Sequence, residues 1–189
     1  MNKVCKLCYF WLADNEYGYS DVIKKNIFKK DIIFYDKYSI EYSNYNLNIK
    51  INENYIPNFY SIDNKKNNIE ITGIIGKNGS GKTALLSFIN NCLNKNISFL
   101  KEYIIIFEID GKLNIFHKNC EIKNFEELQK IDYIKINNSE KDFEYSLCYV
   151  NRNMSTIYYS QTFNYRNNLM LEKSDNSNYY NISLYNDVK

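Results

Sequence analysis

The chain has 189 residues, 24 basic and 22 acidic side chains, 44% apolar residues and 16% aromatics. That apolar fraction excludes a wholly disordered chain, the net charge of +2 dictates no polyionic partner, and no apolar run reaches the ~18 residues of a membrane helix. The length suits one domain, or one and a part.

Five cysteines (Cys5, Cys8, Cys92, Cys120, Cys148) are an odd number, and no small-residue cleavage site follows the short apolar stretch Met1 to Leu12. Reduced thiols in a cytoplasm are therefore expected. Lys, Asn, Ile and Tyr are inflated together, while Arg152 and Arg166 are the only arginines. Such a bias reads as genome-wide, so Asn-rich stretches are weak evidence for disorder.

In chain order, Val4 to Leu12 is a continuous apolar and aromatic run. Asp31 to Tyr42 is β-branched and aromatic with partial alternation, and Leu47 to Ile51 alternates cleanly. These predict antiparallel strands. Tyr55 to Asn68 contains the single proline and reads as a loop. Ile69 to Ile75 predicts a short central strand. Glycines follow, and then Thr83 to Leu93 places Leu85, Leu86, Ile89 and Leu93 at helical spacing. Tyr103 to Ile109 and Lys112 to His117 flank Asp110-Gly111, a hairpin signal. Phe125 to Lys130 predicts a short helix, and Tyr133 to Ile136 and Ser155 to Ser160 predict strands. The polar end, 166–189, is expected to be a partly ordered tail or linker after a lobe spanning 1–165.

Gly76-Lys77-Asn78-Gly79-Ser80-Gly81-Lys82-Thr83 fills every position of G-x-x-x-x-G-K-[ST]. Four of the six glycines lie between Gly73 and Gly81. A loop that wraps a phosphate turns its backbone N–H groups inward, through dihedrals and close approaches that a Cβ obstructs. The helix opening near Lys82 adds the partial positive charge of its free N–H groups. Lys82 brings a full charge to the β- and γ-phosphates, and the Thr83 hydroxyl is a hard oxygen ligand suited to Mg²⁺. The candidate ATP-binding residues are thus 76 to 83 together with Ala84 in the first helical turn. A glycine-rich turn that merely caps a helix explains the glycines but not Lys82-Thr83 in register.

GKNGSGKT resembles the G-x-N-G-[SA]-G-K-[ST] loop of ABC-type and SMC-like ATPase heads, including bacterial AAA-type ATPases of chromosome maintenance and phage defence. The N-terminal run KVCKLCYFWL and the phrase NYIPNFYSIDNKKNNIEITGIIGKNGSGKT are also similar to the start of such heads. The likeness covers about residues 1–95. It implies an α/β P-loop NTPase core with an antiparallel β-rich lobe, binding of ATP and Mg²⁺, and hydrolysis across a head-to-head dimer. It implies further a strand-end Gln at the metal, for which Gln161 is the candidate beside Thr83, although an ordinary polar residue at a strand end explains Gln161 slightly better. A role on DNA is suggested by the family and by no residue in the chain. The family also needs an apolar strand ending in Asp-Glu and a Ser-Gly-Gly signature, and neither occurs here. The chain therefore reads as the first part of an incomplete head. It is expected to bind nucleotide better than it hydrolyses it, with a second copy or another chain completing the site.

Two rival classes stay open: a P-loop kinase of a small substrate, and a nucleotide-sensing module that never turns ATP over. The kinase reading leans on Glu108 and Asp110, two apart on one strand and so on one face. A hairpin turn at Asp110 explains them better, and two arginines equip a kinase poorly to clamp a phosphoryl group. Cys5, Cys8, His117 and Cys120 have the right types for zinc, but Cys5 and Cys8 lie within an apolar strand, so buried thiols are the expectation. Among many aromatics, Tyr60 is the candidate for stacking on adenine.

Overall fold

Continuous apolar strands need cover on both faces, and the fold supplies it. The computed structural model describes residues 5–13, 27–57, 72–75, 77, 82, 85–86, 89, 101–137, 156–158 and 179–181. The strands are β1 (Cys5–Leu12), β2 (Ile32–Ile33), β3 (Tyr38–Ser43), β4 (Asn46–Ile51), β5 (Tyr103–Ile109), β6 (Lys112–Lys118), β7 (Ile134–Asn137), β8 (Thr156–Tyr158) and β9 (Tyr179–Asn181). A short helix, Phe125–Gln129, joins β6 to β7. Five strands form one sheet in the order β2-β1-β5-β6-β7, antiparallel except for the parallel β6–β7 pair. β3 and β4 form a separate antiparallel hairpin, and β8 and β9 pair in parallel.

The central strand β5 shows why both faces are dry. Ile104 and Ile106 point to one face, where Leu113, Ile115 and Ile134 meet Tyr38, Ile40, Leu47 and Ile49 of the β3–β4 hairpin and Leu128 of the short helix. Tyr103, Ile105 and Phe107 point to the other, against Phe10, Leu12, Ile27, Phe28 and Phe116. The period-2 alternation of a strand thus feeds two cores at once. In β1 the pairing skips Cys8: Leu7 lies opposite Phe107 and Tyr9 opposite Ile106. This β-bulge puts Cys8 and Tyr9 in the same core, while Leu7 and Phe10 face the other.

Two tight turns carry positive φ. Asp110 (52°) and Gly111 (78°) close β5 to β6 as their sequence predicts. Asn44 (50°) and Tyr45 (64°) close β3 to β4, a conformation uncommon for a tyrosine. Contacts distant in sequence hold it. The Lys123 N–H donates to the Tyr45 carbonyl at 2.8 Å, and the Lys123 ammonium lies 4.9 Å from the Tyr45 ring centroid. Beside them, Asn124 accepts from the Leu47 N–H and donates to the Leu47 carbonyl, each at 3.0 Å. One side-chain amide here replaces a neighbouring strand and pins the hairpin over the sheet.

Two expectations differ from the fold. The Asp31–Tyr42 run is two strands rather than one: β2 ends at Ile33, the chain turns, and β3 begins at Tyr38. Asp31 stitches the break, accepting from the Tyr9 hydroxyl at 2.5 Å and from the Tyr42 N–H at 3.0 Å. Of the strand expected at 69–75, residues 72–75 are described, and they make no ladder; Ile75 is 97% exposed. β1 and β6 already occupy both sides of β5, and β2 pairs with the far side of β1, so the interior of this sheet has no place for another β-branched run. β9 lies within 166–189, the end expected to be partly ordered. Among the described residues no helix is long and apolar enough to cross a membrane.

Candidate functional site

Of the predicted phosphate-loop residues, Lys77 and Lys82 are described. Gly76, Asn78, Gly79, Ser80, Gly81, Thr83 and Ala84 lie outside the described residues, as do Gln161, Tyr60, Arg152 and Arg166. Lys82, Leu85, Leu86 and Ile89 are helical, as their spacing predicts. Leu85 and Ile89, four apart, pack on the core face built by Phe10, Phe28 and Phe107, while Leu86 is exposed. The sheet thereby seats the helix that carries Lys82.

Lys82 is half-buried, and its Nζ donates to the Lys77 carbonyl at 2.8 Å. The side chain reaches back over five residues to that carbonyl. A lysine ammonium held by a backbone carbonyl is a source of the positive potential an anion site requires. Just upstream, Gly73 has nothing within 4 Å of the place a Cβ would take. Packing around Gly73 therefore leaves room for a side chain, unlike the demand that phosphate contact places on a loop glycine.

The acidic pair of the kinase reading has other work. Asp110 occupies the first position of the β5–β6 turn. Glu108 is only 7% exposed; its Oε2 accepts from the Lys37 ammonium at 2.7 Å and from the Tyr38 hydroxyl in a short hydrogen bond. Burial, then this carboxylate, holds the Tyr38 phenol well above its ordinary range, which keeps it a donor. Glu108 is a satisfied buried charge that fastens the β3–β4 hairpin to the sheet. Nothing local in the sequence announces this trio, since Glu108 lies 71 residues from Lys37 and 70 from Tyr38.

The thiols are similarly ordinary. Cys8 and Cys120 are buried. Burial, then the nearby Glu102 carboxylate, pushes the Cys120 thiol up to about 12, which disfavours the thiolate that metal binding needs. His117 stands edge-on to Phe125, ring centroids 5.9 Å apart. Among the described residues, no three His, Cys, Asp or Glu side chains gather as metal ligands do.

No protein-family model, curated protein or solved structure gives a significant match to this chain.

Proposed function

We propose that the chain binds ATP with Mg²⁺ through the loop 76–83, as the N-terminal part of an ABC/SMC-like ATPase head. The observation that carries this reading is Lys82: it fills the lysine position of a complete G-x-x-x-x-G-K-T motif, is helical, and turns its ammonium 2.8 Å from the Lys77 carbonyl. The seating of Leu85 and Ile89 on the sheet supports it, because a phosphate cradle works only on a fixed helix.

In this reading the backbone amides of Gly76 to Gly81 surround the β-phosphate and Lys82 neutralises β- and γ-phosphate oxygens. The Thr83 hydroxyl, and Gln161 by family likeness, would hold the metal. Mg²⁺, when bound, draws charge from the β- and γ-phosphate oxygens. The chain contains no Asp-Glu pair to hold an attacking water and no Ser-Gly-Gly signature. Turnover therefore requires those groups from elsewhere, either a partner or a further segment. The engagement of Glu108 by Lys37 and Tyr38 counts against the kinase alternative.

Equilibrium dialysis of the purified chain against labelled ATP and Mg²⁺ tests the reading. Saturable binding with one site per chain and no phosphate release is expected. Absence of binding at millimolar nucleotide contradicts it.

A further inference from the structure

Both limbs of the phosphate loop reach the same face of the sheet, and they reach it by different means. Downstream, Leu85 and Ile89 pack into the cluster of Phe10, Phe28 and Phe107. Upstream, the attachment is polar. The exposed Thr72, four positions before Gly76, donates its hydroxyl to the Phe34 carbonyl at 2.8 Å. Phe34 belongs to the same cluster, its ring 5.4 Å from that of Phe10.

Phe34 is itself tied to the sheet by its other peptide group. Its N–H donates to the Cys8 carbonyl at 2.8 Å. Cys8 is the bulged residue that the β1–β5 pairing skips. The skip lies on the β5 side; toward β2 the register runs on, Phe10 opposite Ile32 and Tyr9 opposite Ile33, which brings Cys8 opposite Phe34. The result is a relay of two hydrogen bonds, from the β1 bulge through Phe34 to Thr72. Gly73 follows Thr72 and meets no neighbour at its Cβ position, and Ile75 is exposed, so neither packs this limb onto the sheet.

Resting on the nucleotide-binding reading, we infer that Thr72 is a positioning residue: its hydroxyl fixes the upstream limb of the phosphate loop to the sheet through Phe34, beside the bulge in β1. An exposed hydrogen bond adds little to global stability, as protein–protein and protein–water bonds nearly balance. Its value lies in preorganisation. Without the tether, the limb must be ordered when polyphosphate arrives, and that ordering is subtracted from affinity.

The test compares Mg²⁺-ATP affinity and thermal midpoint for the full chain and for Thr72→Val, Thr72→Ser and Lys82→Ala. Thr72→Val, isosteric but without the hydroxyl donor, should bind ATP about threefold to tenfold more weakly with a midpoint near that of the parent; Thr72→Ser should recover the affinity. Thr72→Val binding as tightly as the parent, while Lys82→Ala binds poorly, overturns the tether and leaves the loop reading intact. Failure of Thr72→Ser to recover affinity also overturns it, because the hydroxyl is then not the agent. A parent chain that binds no ATP removes the loop reading and the tether together. If Thr72→Val lowers the midpoint markedly, Thr72→Ser decides: restored folding with weak binding refutes the role.

Discussion

Lys82→Ala should weaken ATP binding by about 1.5–3 kcal/mol, roughly tenfold to 150-fold, with little change in thermal midpoint. The asymmetry follows from the side chain's place. The residue is half-buried and helical, and its ammonium makes a hydrogen bond to the Lys77 carbonyl, a group that water satisfies easily once released. The folded chain loses little. A bound triphosphate loses a charge-assisted contact at the point of greatest negative charge, where such bonds are about twice as strong as neutral ones. Titration calorimetry of parent and variant reads both quantities. Equal ATP affinity in the two proteins would contradict the assignment.

Phe107→Ala should be the most damaging change in the sheet, costing about 3–5 kcal/mol and lowering the thermal midpoint by roughly 10 °C or more. Phe107 is 2% exposed at the centre of β5, and its ring lies 6.2 Å from that of Phe116. Truncation empties the middle of the face on which Leu85 and Ile89 sit. ATP affinity, measured well below the new midpoint, should therefore fall as well, because the helix bearing Lys82 loses its seat. Ile106→Ala is the control. Ile106 is adjacent in the strand and fully buried, but it faces the opposite core, under the β3–β4 hairpin. It should also destabilise, by about 2–5 kcal/mol, and leave low-temperature ATP affinity near that of the parent. Identical affinity losses in both variants would mean that global looseness, rather than the seat of the helix, is being measured.

The elements legible in the sequence are those specified by local pattern. β1, β4, the β5–β6 hairpin with its Asp110-Gly111 turn, the short helix and β7 fall within a residue or two of their predicted bounds. Hydrophobic period and turn chemistry suffice for these. Features set by partners distant in the chain were not legible. The Asn44–Tyr45 turn depends on Lys123 and Asn124, about 77 residues away, which no short-range signal marks. The bulge at Cys8 cannot be read from an apolar run in which every residue suits either face. Ile69 to Ile75 has the composition of a strand, but composition does not provide a neighbour to pair with, and residues 72–75 have none. At the candidate site the motif names the residues on which the proposal rests, and of these Lys77 and Lys82 are described. It carried no hint of Thr72 and Phe34, whose contact joins segments 38 residues apart.

The central claim concerns main-chain amides, so an amide measurement addresses it most directly. Hydrogen–deuterium exchange of the intact chain, followed by mass spectrometry with and without Mg²⁺-ATP, should show slowed exchange concentrated in peptides covering 76–83, with peptides from β5 and β6 unchanged. Exchange at 76–83 that stays the same in saturating nucleotide would contradict the account, whatever affinity other methods report.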